Sequence, residues 1–351
     1  MEVQFNDVSM TYDGSSRTVL NDMSFTIEDH SLVSILGPSG CGKSTTLMLI
    51  SGLLFPSGGK ITFNDRDVTR LDAVSRKVGM VFQNYALYPH LSVIDNIAFP
   101  LKMAKVSKKE RMETAREFAD LVQISDHLNK KPNQLSGGQQ QRVAIARALA
   151  KKPSILLMDE PLSNLDAKLR TVMREEIRRI QQQTGVTTVF VTHDQAEALS
   201  ISDKVMVLDQ GVIQQSSTPM DLYENPQNLF VAKFLGSPSI NTFSLDQIAD
   251  ALPERLVAQL KKKDVETIGI RPESLTQTEP GAGLFTGEVT HIEIVGKERT
   301  VKVKTADGTE VIIADIPVVF DVGDQVSFGS KPASLFYFDS EGIRMVISDA
   351  E

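Results

Sequence analysis

Cysteine and tryptophan are almost missing from this chain of 351 residues, which has one cysteine and no tryptophan. A single cysteine cannot form an intrachain disulfide, which agrees with a reducing compartment. Long apolar runs are also missing, because the longest, residues 47–55, is interrupted by Ser51 and Gly52 and falls far short of the roughly 20 residues that span a bilayer. The first residues lack a basic stretch followed by an apolar core, so we expect no secretory signal.

The chain also has no excess of basic residues. The chain has 37 Lys and Arg against 45 Asp and Glu, a formal net charge of −8. Because sequence-independent binding to nucleic acid or anionic lipid relies on dense basic surface, this balance argues against both partners. The composition, 41% hydrophobic and 23% charged, is that of an ordinary globular protein. The length predicts about two domains.

What the chain does contain is the glycine-rich stretch GPSGCGKST at residues 37–45, directly after the apolar run of residues 31–36. Its spacing is that of a phosphate-binding loop between a strand and a helix. Glycines let successive backbone N–H groups turn inward, and the N-terminal end of the helix adds positive potential. We therefore expect Lys43 to reach the β- and γ-phosphates of a nucleotide and Ser44 to offer its hydroxyl to Mg²⁺.

Polar residues also stand at the ends of three further predicted strands. They are Gln83 after residues 78–82, Asp159 and Glu160 after the buried run of residues 154–158, and His193 after residues 187–191. Downstream of a phosphate loop, one acid at a strand end suits the Mg²⁺ shell and a second suits polarising a water molecule. An amide at a strand end suits a metal or a water molecule. These strand ends are therefore candidate catalytic positions.

Between residues 84 and 151 the pattern becomes helical. The motif LSGGQ, at residues 135–139, opens a helix predicted over residues 140–151, which Pro153 ends. Its small residues lie at the helix N-terminus, so this is a second candidate anion site.

Two residues near the phosphate loop each have two interpretations, which are alternatives for Tyr12 and compatible for Cys41. Tyr12, at the end of the first predicted strand, can stack on a nucleobase or simply pack at the strand end. Cys41 is a small filler of the loop, and we also hypothesise that alkylating it blocks the nucleotide by bulk.

The C-terminal part of the chain differs in character. A domain boundary is predicted near residues 236–238, where glycine and proline break the chain. Beyond it, short β-rich runs separated by glycine turns predict a small all-β barrel; they are residues 267–270, 287–294, 300–303, 311–314, 325–329 and 335–338. Such folds can bind oligonucleotides or sugars. Without tryptophan or interleaved aromatic and basic residues, a dimerising or regulatory role is favoured.

In their order along the chain, GPSGCGKST, Gln83, LSGGQ, ILLMDE, residues 163–166 and His193 resemble the motifs of ATP-binding cassette (ABC) ATPases. NYALYPH at residues 84–90, the segment 219–241 and GIRPE at residues 269–273 are similar to the MalK-like, carbohydrate-uptake branch of importer ATPases.

The resemblance implies an α/β fold with a P-loop ABC nucleotide-binding domain at residues 1–236. This domain would combine a RecA-like core, an antiparallel β subdomain and a helical subdomain near residues 84–151. An all-β, OB-like (TOBE-type) regulatory and dimerisation domain would follow at residues 237–351.

The resemblance also implies a head-to-tail homodimer that binds ATP and Mg²⁺ between its two copies. In one copy Tyr12 would stack on adenine, and the phosphates would be bound by Gly37, Pro38, Ser39, Gly40, Cys41, Gly42, Lys43, Ser44 and Thr45. Ser44 and Gln83 would ligate Mg²⁺ with Asp159 behind them, Glu160 would orient or deprotonate the attacking water, and His193 would hold the γ-phosphate. The other copy would supply Leu135, Ser136, Gly137, Gly138 and Gln139. Asp166 would lie at the dimer interface, although a helix N-cap explains it equally well.

By this resemblance we expect the ATP-hydrolysing subunit of a bacterial importer, most simply for sugars or oligosaccharides. It would dock on two transmembrane permease subunits at the cytoplasmic face of the cell membrane, with an extracytoplasmic solute-binding protein as an indirect partner and no nucleic acid. Similar ATPases serve glycerol-phosphate, polyamine, metal or oxyanion uptake. A non-transport ABC ATPase of translation or DNA repair is the second class, disfavoured because those proteins usually carry tandem cassettes, long coiled coils or zinc cysteines.

Overall fold

The computed structural model describes residues 1–316 and 319–347. It divides into two compact units, Met1–Met220 and Asp221–Glu351. The second unit includes the segment before residue 237, because the Arg271 guanidinium donates to the carbonyls of Ala232 and Leu235. Compact units and family domains need not share a boundary, so the domain division after residue 236 stays a prediction. Residues 317–318 and 348–351 of the predicted C-terminal domain lie outside the described residues.

In the first unit the strands are β1 (Val3–Thr11), β2 (Thr18–Ile27), β3 (Leu32–Leu36), β4 (Gly58–Phe63), β5 (Arg66–Asp67), β6 (Val78–Val81), β7 (Ile155–Asp159), β8 (Thr187–Thr192), β9 (Lys204–Asp209) and β10 (Val212–Ser217). The helices are α1 (Lys43–Ser51), α2 (Ala73–Arg76), α3 (Val93–Met103), α4 (Lys108–Leu121), α5 (Gly137–Leu149), α6 (Ala167–Thr184) and α7 (Gln195–Ile201); α8 (Pro219–Glu224) runs across the boundary.

A four-stranded antiparallel sheet has the order β2-β1-β4-β5. Apolar and polar residues alternate along β1, and Val3, Phe5, Val8 and Met10 are all buried. Strand β2 pairs with β1 from its first residue, since Thr18 and Leu20 lie opposite Thr11 and Met10.

A six-stranded sheet has the order β10-β9-β3-β8-β7-β6 and is parallel apart from β10. Successive side chains along these strands point alternately into two hydrophobic cores, one on each face of the sheet. Leu156 and Met158 of β7 pack with α3, α4, α5 and α6, whereas Ile155 and Leu157 pack with α1 and the antiparallel sheet. Because the carboxyl ends of parallel strands meet at one edge, β3, β8, β7 and β6 deliver the predicted site residues side by side.

In the second unit the strands are β11 (Asn241–Ser244), β12 (Val265–Ile270), β13 (Thr276–Gln277), β14 (Phe285–Val295), β15 (Glu298–Thr305), β16 (Glu310–Ala314), β17 (Gln325–Gly329), β18 (Leu335–Asp339) and β19 (Arg344–Met345), and the helices are α9 (Leu229–Phe234), α10 (Leu245–Ile248) and α11 (Glu254–Lys262). They form the sheets β11-β12-β18-β19 and β13-β17-β14-β15-β16. The β-rich prediction is confirmed, but helix α11 was not expected; Leu256 and Leu260, spaced four residues apart, bury its apolar face.

No helix within residues 1–316 and 319–347 combines the length and apolar character that crossing a bilayer requires.

Candidate active site

The phosphate loop joins β3 to α1 and needs its glycines. Gly40 and Gly42 have φ angles of +79° and +111°, in the region that side chains rarely adopt. A Cβ atom at Gly42 would meet the Leu20 side chain at 2.5 Å, and one at Gly37 would meet the Leu208 carbonyl oxygen at 2.1 Å. The loop therefore lies close against its neighbours, with a backbone conformation that few other residues would permit.

Lys43 and Ser44 are the first two residues of α1, directly after the glycines of the loop. The Lys43 Nζ atom donates to the carbonyls of Gly37 and Pro38, at 2.9 Å each, and the side chain is only 5% exposed. The Ser44 hydroxyl donates to Oδ1 of Asp159 at 3.1 Å. Burial raises the pKa of the Asp159 carboxyl, while the Ser44 hydrogen bond and the Lys43 charge oppose that rise. A lysine, a hydroxyl and a carboxylate thus converge at the loop.

Tyr12 lies beside the same loop. Its hydroxyl and Oγ1 of Thr45 form a hydrogen bond of 3.0 Å, and the tyrosine is 37% exposed. The phenol is anchored at one end while part of the ring remains accessible, as stacking on a base requires.

The Glu160 side chain, which follows β7, contacts residues that follow the neighbouring strands β6 and β8. Its Oε2 atom lies 3.2 Å from Nδ1 of His193 and accepts a hydrogen bond from Nε2 of Gln83 at 3.4 Å. The Glu160 backbone has φ +43°, uncommon outside glycine, and its N–H donates to the Val191 carbonyl at 3.0 Å. Residues held in such conformations cluster at functional sites. The structure thus brings Gln83, Glu160 and His193 together.

Two side chains to which no role of their own was assigned from sequence, Asn164 and Arg147, hold the chain after Gln83. The Asn164 amide donates to the Gln83 carbonyl at 2.8 Å. The Arg147 guanidinium, on α5, donates to the carbonyls of Tyr85 and Ala86 at 2.8 and 2.6 Å. The signal in the sequence was a charged residue within the otherwise apolar run VAIARAL of residues 143–149. In the fold Arg147 is only 9% exposed.

The LSGGQ segment caps α5, which begins at Gly137 rather than at residue 140. The Gln139 N–H donates to the Ser136 hydroxyl at 3.4 Å, and the Ser136 N–H donates to the Gln139 side chain at 2.9 Å, a reciprocal capping box. Ser136 is exposed, whereas Leu135 is buried. A Cβ atom at Gly138 would lie 3.1 Å from Leu169 of α6, so this glycine allows the two helices to approach closely.

Within the described parts of the chain, no hydrogen bond or ion pair joins residues 135–139 to the phosphate loop, Asp159, Glu160 or His193. Asp166 is exposed and its side chain accepts from the Leu169 N–H at 2.9 Å, which is an N-cap of α6. Cys41 is 4% exposed, and burial raises the pKa of its thiol. Any contact between Cys41 and a phosphate would therefore be made by its backbone.

The chain is similar to known families and to solved structures. A sequence-family model described as "ABC transporter" matches residues 20–163, and one described as "TOBE domain" matches residues 268–338. Among solved structures, "Dimeric structure of a post-hydrolysis state of the ATP-binding cassette MJ0796 bound to ADP and Pi" is similar with a TM-score of 0.56 and 34% identity, covering 62% of this chain and 98% of that one.

Three curated relatives illustrate the range of the similarity. The sn-glycerol-3-phosphate import ATP-binding protein UgpC 3 of Agrobacterium fabrum is 41% identical over 98% of this chain and 99% of its own. The trehalose/maltose import ATP-binding protein MalK of Thermococcus litoralis is 43% identical over 84% and 86%, respectively. The Fe(3+) ions import ATP-binding protein FbpC 1 of Rhizobium meliloti is 44% identical over 84% and 86%.

The predicted fold, an ABC ATPase domain followed by an OB-like TOBE domain, is thereby confirmed. The similarity extends over nearly the full length of this chain. The phosphate loop and the cluster of Gln83, Glu160 and His193 also occupy one edge of the sheet. The chain therefore belongs to the ABC transporter family, as an ATP-binding subunit that hydrolyses ATP in transport.

Proposed function

We propose that this chain is the ATP-hydrolysing motor of an importer, with its reaction centred on Glu160. The observation that carries the proposal is the contact of the Glu160 carboxylate with both His193 and Gln83, at 3.2 and 3.4 Å. Three polar groups from adjacent strand ends meet there, beside a phosphate loop. The relatives named above are import ATP-binding proteins, which supports the direction of transport.

In the proposed mechanism each side chain either positions ATP or the attacking water, or compensates the charge of the phosphates. Lys43 and the backbone N–H groups of Gly37 and residues 39–45 hold the phosphates of ATP, and Tyr12 stacks on the adenine. The Glu160 carboxylate takes the proton of the attacking water, or orients that water, while His193 holds the γ-phosphate in line. Phosphoryl transfer needs mainly positioning and electrostatic stabilisation, which these groups supply.

We propose Mg²⁺ as the cofactor, held by Ser44 and Gln83 with Asp159 behind them. The donor set fits this ion, because hydroxyl, amide and carboxylate oxygens are hard ligands and the Ser44 hydroxyl already contacts Asp159 at 3.1 Å. The ion would neutralise charge on the phosphates.

We propose further that two copies of the chain bind ATP between them, with residues 135–139 of one copy facing the phosphate loop of the other. Support comes from the exposed Ser136 at the N-terminus of α5, from the lack of any bond between this segment and the phosphate loop in the described chain, and from the dimeric form of the similar cassette. In this arrangement the γ-phosphate bridges the copies and hydrolysis releases them. Asp166 would lie at this interface, at the start of α6.

The partners of such a motor would be two membrane-spanning permease subunits, with a solute-binding protein acting through them, and its place would be the cytoplasmic face of the membrane. For the solute we propose a sugar, because MalK of Thermococcus litoralis is named for trehalose and maltose. Glycerol-phosphate is the alternative that UgpC 3 supports, and iron(III) is the alternative that FbpC 1 supports.

The test is to recover the tagged chain from its native membranes in mild detergent and identify its companions by mass spectrometry, with the tag alone as the control. Multi-span membrane proteins with a solute-binding protein are the expected result, and the ligand of that binding protein then identifies the solute. Recovery of ribosomal or DNA-repair proteins without any membrane protein would contradict the importer while leaving the ATPase chemistry intact.

A further inference from the structure

We propose that Thr192 is a positioning residue for His193, and that the buried carboxyl group of Glu197 holds Thr192 in place. Thr192 is the last residue of β8 and Glu197 lies in the first turn of α7; they are 2% and 4% exposed. The Thr192 hydroxyl donates to Oε2 of Glu197 at 2.6 Å. Burying a carboxyl group without a hydrogen bond destabilises the fold, so breaking this contact would be unfavourable.

The same hydroxyl also accepts a hydrogen bond, from the N–H of Asp194 at 3.0 Å. It therefore ties together the residues immediately before and after His193. The Asp194 side chain is fixed in turn, because it accepts from the Glu197 N–H at 3.1 Å and from the Arg170 guanidinium at 3.4 Å. The backbone that carries His193 is thus bound on both sides.

The hydrogen bonds on both sides of His193 matter because few contacts hold the imidazole itself. The His193 side chain is 57% exposed, and it contacts Glu160 at 3.2 Å across the strand ends. The direction of the ring is then set mainly by the backbone that carries it. A displacement of about 1 Å can cost a reaction up to about 10²-fold in rate. Thr192 and Glu197 would act on the reaction only through this placement, and the inference rests on the proposed role of His193.

The experiment compares the full-length variants Thr192→Val and Thr192→Ser with Thr188→Val as a matched control. Thr188 lies on the same strand and the same face, is fully buried, and donates to the Val186 carbonyl away from the site. The measurements are kcat, KM, and the affinity ratio between the analogue AMP-PNP and ADP. We expect Thr192→Val to lose about 10- to 100-fold in kcat and to discriminate less between the nucleotides, whereas Thr192→Ser and Thr188→Val stay near wild type.

A double-mutant cycle with His193→Ala separates positioning from a structural role. If Thr192 acts through His193, adding Thr192→Val to His193→Ala lowers kcat and the affinity ratio no further. An equal loss in both backgrounds would overturn the inference, as would a wild-type kcat in Thr192→Val. A His193→Ala variant with unchanged turnover would overturn the proposed role of His193 and this inference together.

Glu197→Met provides a second route if Thr192→Val does not fold. It removes the acceptor while keeping the length of the side chain, so the Thr192 hydroxyl loses its partner in α7. We expect a loss of kcat in the same direction, again absent in the His193→Ala background. Unchanged kcat in a folded Glu197→Met variant would overturn the part assigned to Glu197.

Discussion

Nδ1 of His193 lies 3.2 Å from Oε2 of Glu160, although the two residues follow different strands of the sheet. The strands β7 and β8 are parallel neighbours, with Asp159 opposite Val191, so the residues that follow them emerge together. The phosphate loop leaves β3, the neighbour of β8 on its other side. Strand register therefore brings an imidazole and a carboxylate together beside a phosphate-binding loop.

Replacing Tyr12 tests the proposed stacking on adenine. A stacked base contributes about 1–3 kcal/mol, so Tyr12→Ala should weaken ATP binding by about 5- to 150-fold. Tyr12→Phe keeps the ring and loses only the hydrogen bond to Thr45, so its loss should be smaller. Equilibrium binding of ATP and GTP measures both effects. If Tyr12 only packs at the strand end, Tyr12→Ala will lower the melting temperature and leave nucleotide affinity unchanged.

Asp159 is expected to lower stability at neutral pH. Burial raises its pKa above the ordinary 3.8, so the folded protein binds this proton more tightly than the unfolded chain. Its contribution to stability is present below the unfolded pKa and is lost as the pH rises through the folded pKa.

Asp159→Asn removes this loss and should leave the melting temperature at pH 7 equal or higher, measured in EDTA without nucleotide. From about pH 4 upward, wild type should lose stability relative to the variant. The variant should also lose ATP turnover, because the carboxylate behind Mg²⁺ is gone. A lower melting temperature for Asp159→Asn at pH 7 would show that the ionised carboxylate stabilises the fold.

Cys41 should react slowly with thiol reagents. It is 4% exposed, and burial raises the pKa of its thiol, so less of the reactive thiolate is present at pH 7 than for a free cysteine. Iodoacetamide labelling should accelerate as the pH rises towards and beyond the ordinary value of 9.0, and prior addition of ATP should slow it. Labelled protein should no longer bind ATP, whereas a Cys41→Ser variant should be insensitive. Equal inactivation of Cys41→Ser would exclude Cys41 as the target.

The proposed ATP site between two copies is tested by mixing variants. In a Glu160→Gln background that slows hydrolysis, Lys43→Met disables the phosphate loop and Ser136→Arg disables the opposing segment. Neither variant alone should retain ATP through gel filtration. A mixed dimer contains one intact combination, so the mixture should retain about one ATP for every two chains of mixed dimer. No retention by the mixture would place both groups in sites within one chain.

The strand ends were predictable from sequence because each is an apolar run stopped by polar residues. Gln83, Glu160 and His193 could therefore be assigned to strand ends. Their adjacency was expected only from the resemblance to ABC ATPases, because the order β3-β8-β7-β6 depends on crossovers whose path local patterns do not specify.

Support residues were harder to predict than the residues they support. Arg147 appears in sequence as a charge within the otherwise apolar residues 143–149 of α5, and only the fold shows that it binds the carbonyls of Tyr85 and Ala86. Helix α11 was obscured because residues 261–263 look like a solvated charge run, while Leu256 and Leu260 are the buried contacts that stabilise it.

The measurement that tests the account most directly is ATP turnover by Glu160→Gln, beside Glu175→Gln, an exposed glutamate of α6, as the control. Loss of a general base costs about 10² to 10⁴ in rate, so Glu160→Gln should lose that much turnover while still binding ATP. Glu175→Gln should hydrolyse ATP at the wild-type rate. Retained turnover in Glu160→Gln would contradict the assignment of Glu160, and with it the proposed centre of the reaction.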